Sequence, residues 1–256
     1  MPADLPAPRV CLVTGAGRGI GAAIGGRLSQ LGHRVALCAR TADELDAVSA
    51  GLPGPSLVVP ADLTVDGSVA GVFDTVEAAW GPVEILVVNA GAANSAPVAR
   101  ITDVEWQHML DLNLTAPFRC IRRALPAMTA AGWGRVVVIA SVAAKRGEPY
   151  IAAYTAAKHG VLGLVRAAAA EVARTGVTVN AVCPGYVDTP MTDGSVQTII
   201  AMTGRTPEQA RAALEAKQPI GRLVTVDEVA DAVELCVVNA AMTGQGINVD
   251  GGAVQS

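Results

Sequence analysis

Short β-branched runs alternate along the chain with longer stretches of helical period. Val10–Val13 gives way to a glycine-rich turn and then to a helical pattern reaching about Leu31. Arg34–Cys38, Ser56–Val59, Ile85–Val88, Arg135–Ala140, Val177–Val182 and Gly246–Val249 read as six further strands. Most of these runs are continuously apolar, without polar alternation, as strands are when helices cover both faces of a parallel sheet. Alternation at this spacing requires right-handed βαβ crossovers and predicts an α/β fold, one doubly wound parallel sheet of about seven strands. No repeat, low-complexity block or Pro/Ser-rich linker divides the pattern, so residues 1–256 are expected to form a single domain.

Two kinds of segment depart from this rhythm. Thr102 to Met128 predicts one long helix, and Tyr150 to Ala173 another, rich in alanine (Ala167–Ala170). Small or apolar residues on nearly every side predict burial all round, which points to a subunit interface. Residues 190–217, between the sixth strand and the next helix, carry Gly194, Gly204, Pro207 and mixed polarity, which suits a lid over a pocket.

Composition narrows the function. The chain is 51% hydrophobic and 16% charged, enough apolar material for a large core and too little charge for disorder. A net charge of −4, no basic run and 3% aromatics argue against a nucleic-acid partner. The five cysteines (Cys11, Cys38, Cys120, Cys183, Cys236) are scattered and form no C-x-x-C pair, so reduced, buried thiols are expected rather than disulfides or zinc. The opening MPADLPAPRV lacks an apolar signal region, and no apolar run approaches a membrane span. A cytoplasmic location and no membrane partner follow as the expectation.

The turn after the first strand reads Thr14-Gly15-Ala16-Gly17-Arg18-Gly19-Ile20-Gly21. Glycines here let the backbone turn tightly and approach a pyrophosphate, which the N–H groups and dipole of the following helix stabilise. Placement at the first βα junction predicts a dinucleotide-binding Rossmann fold. The acidic residue that holds the ribose 2′-hydroxyl in NAD enzymes is missing from the second strand's end, which reads Cys38-Ala39-Arg40-Thr41, with Asp43 the first acid beyond it. Arg40 and Arg18 instead offer two planar guanidinium forks for a 2′-phosphate, which favours NADP(H) over NAD(H). The alternative is that both are solvated surface arginines.

Tyr154 and Lys158 stand four apart and project from one helix face. A free tyrosine titrates near pH 10. A nearby ammonium favours the phenolate, and lowering the pKa by about three units takes roughly 4 kcal/mol. Ser141 falls at the C-terminal end of the fifth strand, the edge where open α/β sheets bind ligands, and is placed to hydrogen-bond a reacting carbonyl. A Tyr/Lys pair alone is more often a packing pair; with the serine and the glycine loop it points to catalysis.

These residues, with Asn89-Ala90-Gly91 and Pro184-Gly185, resemble the short-chain dehydrogenase/reductase family over Arg9 to Gly252. The resemblance implies that Tyr154 is the general acid in reduction and the base in oxidation. It implies that Lys158 binds the nicotinamide ribose and lowers the tyrosine pKa, that Ser141 holds the carbonyl, and that Asn113 positions a water linking Lys158 to solvent. Asp62, with Leu63 beside it, matches the acid contacting adenine; Gly15, Gly17, Gly19, Ile20, Gly21, Arg40 and Thr41 match the loop and strand end around the nucleotide. Asn89, Ala90 and Gly91 match the turn beneath the cofactor, while Pro184, Gly185, Val187 and Thr189 match the segment holding the nicotinamide carboxamide. The family's Asn-Asn-Ala-Gly reads Val88-Asn89-Ala90-Gly91 here, one polar group fewer. A homotetramer is the assembly implied.

No metal role is expected for His33, His108 or His159, which lie far apart in the pattern. Lys145 and Glu148 are expected to be solvent-exposed, with a place at the pocket mouth as the alternative. The stretch Cys183–Met191 looks closest to 3-oxoacyl-thioester reductases and polyketide ketoreductases. However, the Pro-Gly-Gly of the latter is replaced by Ala92-Ala93-Asn94-Ser95. The basic residues with which carrier-protein reductases dock an acidic partner are Gly132 and Thr175 here, although Arg135 and Arg174 lie close by. The expected substrate is therefore a coenzyme A thioester, or a free ketone or secondary alcohol, including cyclic or steroidal ones. A non-catalytic dinucleotide sensor is the remote alternative.

Overall fold

A computed structural model describes residues 8–255; the leader-free reading of residues 1–7 lies outside the described residues. Strands β1 (Val10–Thr14), β2 (Arg34–Ala39), β3 (Ser56–Pro60), β4 (Ile85–Val88), β5 (Gly134–Ile139), β6 (Val177–Pro184) and β7 (Gly246–Val249) form one sheet in the order β3-β2-β1-β4-β5-β6-β7. Every neighbouring pair is parallel, with Val13 opposite both Leu37 and Val87. Strand side chains alternate between two cores. Val10, Leu12, Leu86, Val136 and Val138 pack under α3 (Ser68–Trp80), α5 (Ala116–Ala131) and α6 (Ala152–Val172). Cys11, Val13, Ile85, Val87 and Val137 pack under α1 (Gly19–Gln30), α2 (Ala42–Ala50) and α9 (Val226–Val238). Burying each such aliphatic side chain contributes about 1.5–3 kcal/mol. All five cysteines are buried and free.

The long helix expected over 102–128 is divided. The chain runs from α4 (Asp103–Leu110) through a π-helical turn at Asp111–Thr115 into α5. Two sequence features produce the turn. Pro117 has no N–H to return to the Asn113 carbonyl four residues earlier, and Asn113 Nδ2 donates to the Met109 carbonyl at 3.1 Å, competing for a backbone acceptor. Burial all round α6 is not observed either: Ala153, Ala157, Val161, Val165 and Ala169 face the core, while Ala156, Gly163, Ala167 and Ala170 are exposed in the single chain. Residues 190–217 fold as two helices, α7 (Pro190–Thr203) and α8 (Pro207–Glu215), over a small core of Val196, Ala210, Leu214 and Leu223. Among the described residues no helix is long and apolar enough to cross a membrane.

Candidate active site

Because all strands are parallel, their C-terminal ends share one edge. The chain steps outward from β1 to β3, then returns to β4 and steps outward the other way. The crevice where the order reverses is the expected ligand position, and a cleft of about 770 Å³ opens there. Gly15, Gly17, Arg18, Gly19, Ile20, Arg40, Thr41, Asp62, Leu63, Asn89, Ala90, Gly91 and Thr189 all line it. The remaining candidates, Gly21, Asn113, Ser141, Tyr154, Lys158, Pro184, Gly185 and Val187, do not form the cleft surface and support it from beneath or border it.

The glycine loop is held to β4 by Thr14, the first residue of the motif, for which the sequence assigned no separate role. Thr14, wholly buried, accepts through Oγ1 from the N–H of Asn89 (2.9 Å) and of Ala90 (3.0 Å). Asn89 Nδ2 donates back to the carbonyls of Thr14 and Gly15, both at 3.0 Å. This exchange locks the two strand ends across the switch point. Gly15 has φ +65°, and a Cβ there would stand 2.8 Å from Ala90 Cα. At Gly21 a Cβ would meet the Gly15 carbonyl at 2.1 Å, so Gly21 lets α1 begin directly against the turn.

The two arginines lie on the rim without converging on one point. Arg18 pairs with Glu44 at 3.2 Å, its side chain 66% exposed, and Arg40 is exposed at the end of β2. Asp62 accepts from the N–H and hydroxyl of Thr64 at 2.9 and 2.6 Å, which holds its carboxyl below the usual range, with a smaller contribution from Arg40. His108, set aside in the sequence, also lines this end.

At the other end Asn113 and Lys158 are buried, and Ser141 and Tyr154 are half-buried. Ser141 follows β5; its hydroxyl accepts from the N–H of Ala143 at 3.1 Å and lies near enough to Tyr154 to exert a small lowering on its pKa. Lys158, 5% exposed, lies one turn further along α6; its ammonium is 5.6 Å from the Tyr154 ring and donates to the Ile139 carbonyl at 2.9 Å. The expected lowering of the tyrosine pKa is not found. Burial pushes Tyr154 up to about 12, against a smaller lowering by the Ser141 hydroxyl. Burial also pulls Lys158 down to about 8. Desolvation of the charged forms dominates both shifts, and Tyr154 is a phenol at neutral pH.

Asn113 is the inward residue of the π turn. Its Nδ2 also donates to the Ala92 carbonyl at 3.0 Å, while Oδ1 is buried without a hydrogen-bond partner. A Cβ at Gly91 would meet that Oδ1 at 2.8 Å and Lys158 Nζ at 3.7 Å, so Gly91 brings Asn113 and Lys158 to one place. Thr189 faces Gly19, whose Cβ would stand 3.3 Å from Thr189 Cγ2. Gly185 packs against Asp250 and Gln218, and the Val187 side chain, 4% exposed, is turned into the core.

Glu148 departs from the expected exposure. Its side chain, 12% exposed, accepts from Arg146 at 2.7 Å and Lys217 at 2.9 Å, and Tyr186 Oη donates to it at 3.3 Å. Lys145 is half-buried, its ammonium donating to the Gly246 carbonyl at 2.7 Å. Tyr150, the one described non-glycine residue with positive φ (70°), lines the same mouth and accepts from the N–H of Ala96. Among the described residues no group of three His, Cys, Asp or Glu side chains is placed to hold a metal.

The family model for short chain dehydrogenases matches residues 9–200. The chain is 41% identical to a Streptomyces violaceoruber protein that carries the name of a granaticin polyketide synthase ketoacyl reductase, over 95% of this chain and 92% of the relative. It is 38% identical to a cis-4-hydroxycyclohexanecarboxylate dehydrogenase of Sinomonas cyclohexanicum, over 96% of each chain. The crystal structure of an actinorhodin polyketide ketoreductase variant with NADPH superposes with a TM-score of 0.91 at 38% identity, covering 96% of this chain and 97% of that one. The glycine turn lines the cleft and the strand-end serine and Tyr/Lys pair lie beside it, on a fold shared along nearly the whole length, and the chain belongs to the short chain dehydrogenase family of oxidoreductases.

Proposed function

We propose that the chain is an NADPH-dependent oxidoreductase that interconverts a ketone and a secondary alcohol, with a 3-oxoacyl thioester of the coenzyme A type as its ketone. The observation that carries the reading is Lys158 one turn from Tyr154 on α6, its ammonium 5.6 Å from the tyrosine ring and beside Gly91 of the glycine-lined cleft, with Ser141 at the adjoining end of β5. The residues present fit a dinucleotide: the cradle at Gly15 and Gly91 admits no Cβ without displacement, and Asn113 Oδ1 has an unused acceptor. Gly15, Gly17, Gly19 and Ile20 would hold the pyrophosphate at the start of α1, with Gly21 supporting the turn. Asp62 and Leu63 would hold adenine, and Arg18, Arg40 and Thr41 the 2′-phosphate. Asn89–Gly91, Pro184, Gly185, Val187 and Thr189 would hold the nicotinamide end. When bound, the nicotinamide supplies or takes the hydride.

The chain's own residues handle the carbonyl and its proton. In this reading the carbonyl oxygen accepts from both the Ser141 and the Tyr154 hydroxyl. Tyr154, protonated at neutral pH, gives its proton to that oxygen as negative charge develops. The phenolate left behind lies near the Lys158 ammonium, an attraction of about 3 kcal/mol at an effective dielectric constant near 20. Asn113 Oδ1 positions a water that returns the proton through Lys158. In this reading α7 and α8 are the lid over the substrate.

The ketoacyl name of the Streptomyces violaceoruber relative supports a 3-oxoacyl substrate. Arg135 offers no docking charge for an acidic carrier. It is 5% exposed and donates to the carbonyls of Val237, Gly134 and Gly176, which favours a coenzyme A-type substrate over a carrier-bound chain. The cyclohexane-ring relative favours a second reading, a cyclic ketone. We further propose a cytoplasmic homotetramer with the exposed small-residue face of α6 as one contact; a monomer at micromolar concentration in sedimentation overturns that assembly. Initial rates with NADPH and NADH on acetoacetyl-coenzyme A and on cyclohexanones test the function. Faster NADPH oxidation with the thioester is expected. Rates confined to ring ketones select the second reading, and no turnover of either class overturns both.

A further inference from the structure

In the substrate half of the cleft the charged side chains lining the wall are Glu148 and Lys217, contributed by the loop after β5 and by the segment following α8. Lys217 Nζ donates to Glu148 Oε2 at 2.9 Å and to Tyr186 Oη at 3.2 Å, and lies 5.3 Å from the centre of the Tyr186 ring. An ammonium has three N–H donors, and the third has no acceptor among the described residues. Glu148 is shared with Arg146, so the group carries one net positive charge. The burial is uneven: the Glu148 side chain is 12% exposed and that of Lys217 45%, which leaves the ammonium as the charge an arriving molecule meets.

We propose that Lys217 is a specificity-determining residue that binds an anionic group on the substrate, a carboxylate or a phosphate, at the mouth of the cleft. The proposal rests on the reading of this cleft as the substrate site of a carbonyl reductase. Glu148 and Tyr186 hold the ammonium in place, and the neutral wall of Tyr150, Met191 and Ile199 completes the mouth. Arg211, paired with Asp188 at 3.0 Å, holds α8 to the loop after β6 and keeps Lys217 at this position.

The test compares each charged substrate with a neutral counterpart carrying the same ketone, on wild type, Lys217→Met and Lys217→Arg. The pairs are 4-oxocyclohexanecarboxylate against its methyl ester for a carboxylate, and acetoacetyl-coenzyme A against the N-acetylcysteamine thioester for a phosphate. Lys217→Met is expected to lower the charged-over-neutral ratio of kcat/KM at least about fivefold for one pair, mainly through KM, and Lys217→Arg to restore most of it. The pair that responds identifies the anion. Equal losses on charged and neutral partners, or an unchanged ratio in both pairs, overturn the proposal and make Lys217 a fastener of α8. Turnover by wild type tests the carbonyl-reductase reading separately. If it fails, ligand-observed NMR binding of each acid and ester to wild type and Lys217→Met decides the same comparison: a selective loss for the anion supports it, and equal binding overturns it.

Discussion

At the nucleotide end of the cleft Arg18 is 66% exposed and paired with Glu44, whereas at the catalytic end Lys158 is 5% exposed and rests on a backbone carbonyl. The rim is made of bare backbone and solvated charge, which costs little to hold and little to change. The catalytic end is made of side chains whose charged forms are disfavoured by burial, so Tyr154 rises to about 12 and Lys158 falls to about 8. The difference separates two tasks. In the proposed reading, cofactor choice rests with exchangeable surface charge, while proton transfer rests with groups whose protonation the core dictates.

The largest expected effect is at the buried end. Lys158→Met should lower turnover by at least about 10²-fold while making the protein more stable. The lysine's lowered pKa means the unfolded chain binds more protons between about 8 and 10.5. Holding the charge in the fold therefore costs on the order of 3 kcal/mol at pH 7, a cost relieved as pH rises through that window. Denaturant unfolding of the two proteins at pH 7 checks the sign, and a less stable variant contradicts it. Next, the rate of carbonyl reduction should be level up to about pH 8 and then fall up to tenfold per unit as Lys158 loses its proton, because Tyr154, at about 12, stays protonated there. A profile flat to pH 10 would remove Lys158 from the chemistry.

Changes at the rim should be smaller and confined to the cofactor. Arg40→Leu should reduce the preference for NADPH over NADH about tenfold in kcat/KM; an unchanged preference makes that arginine a bystander. Glu44→Gln releases Arg18 and should tighten NADPH binding about twofold, the scale of an exposed ion pair, as read by fluorescence titration.

The rim was the legible end, because glycines at fixed offsets after a strand state a backbone requirement directly. The Tyr154/Lys158 pair was legible as a helix-face spacing, and strand ends were placed to within two residues. The π turn was not, although Pro117 and Asn113 both signal it, because a helical period continues across it. Glu148 was misread as solvent-exposed for a different reason: its partner Lys217 lies 69 residues away in a segment read only as a lid. The lowered tyrosine pKa failed because a four-residue spacing gives direction but no depth of burial.

The division of labour is tested most directly by Tyr154→Phe, measured for NADPH binding and for acetoacetyl-coenzyme A turnover on the same preparation. The account predicts that turnover is lost while NADPH affinity changes by less than about tenfold. Turnover that survives the loss of the hydroxyl would contradict the assignment of Tyr154 as the proton donor.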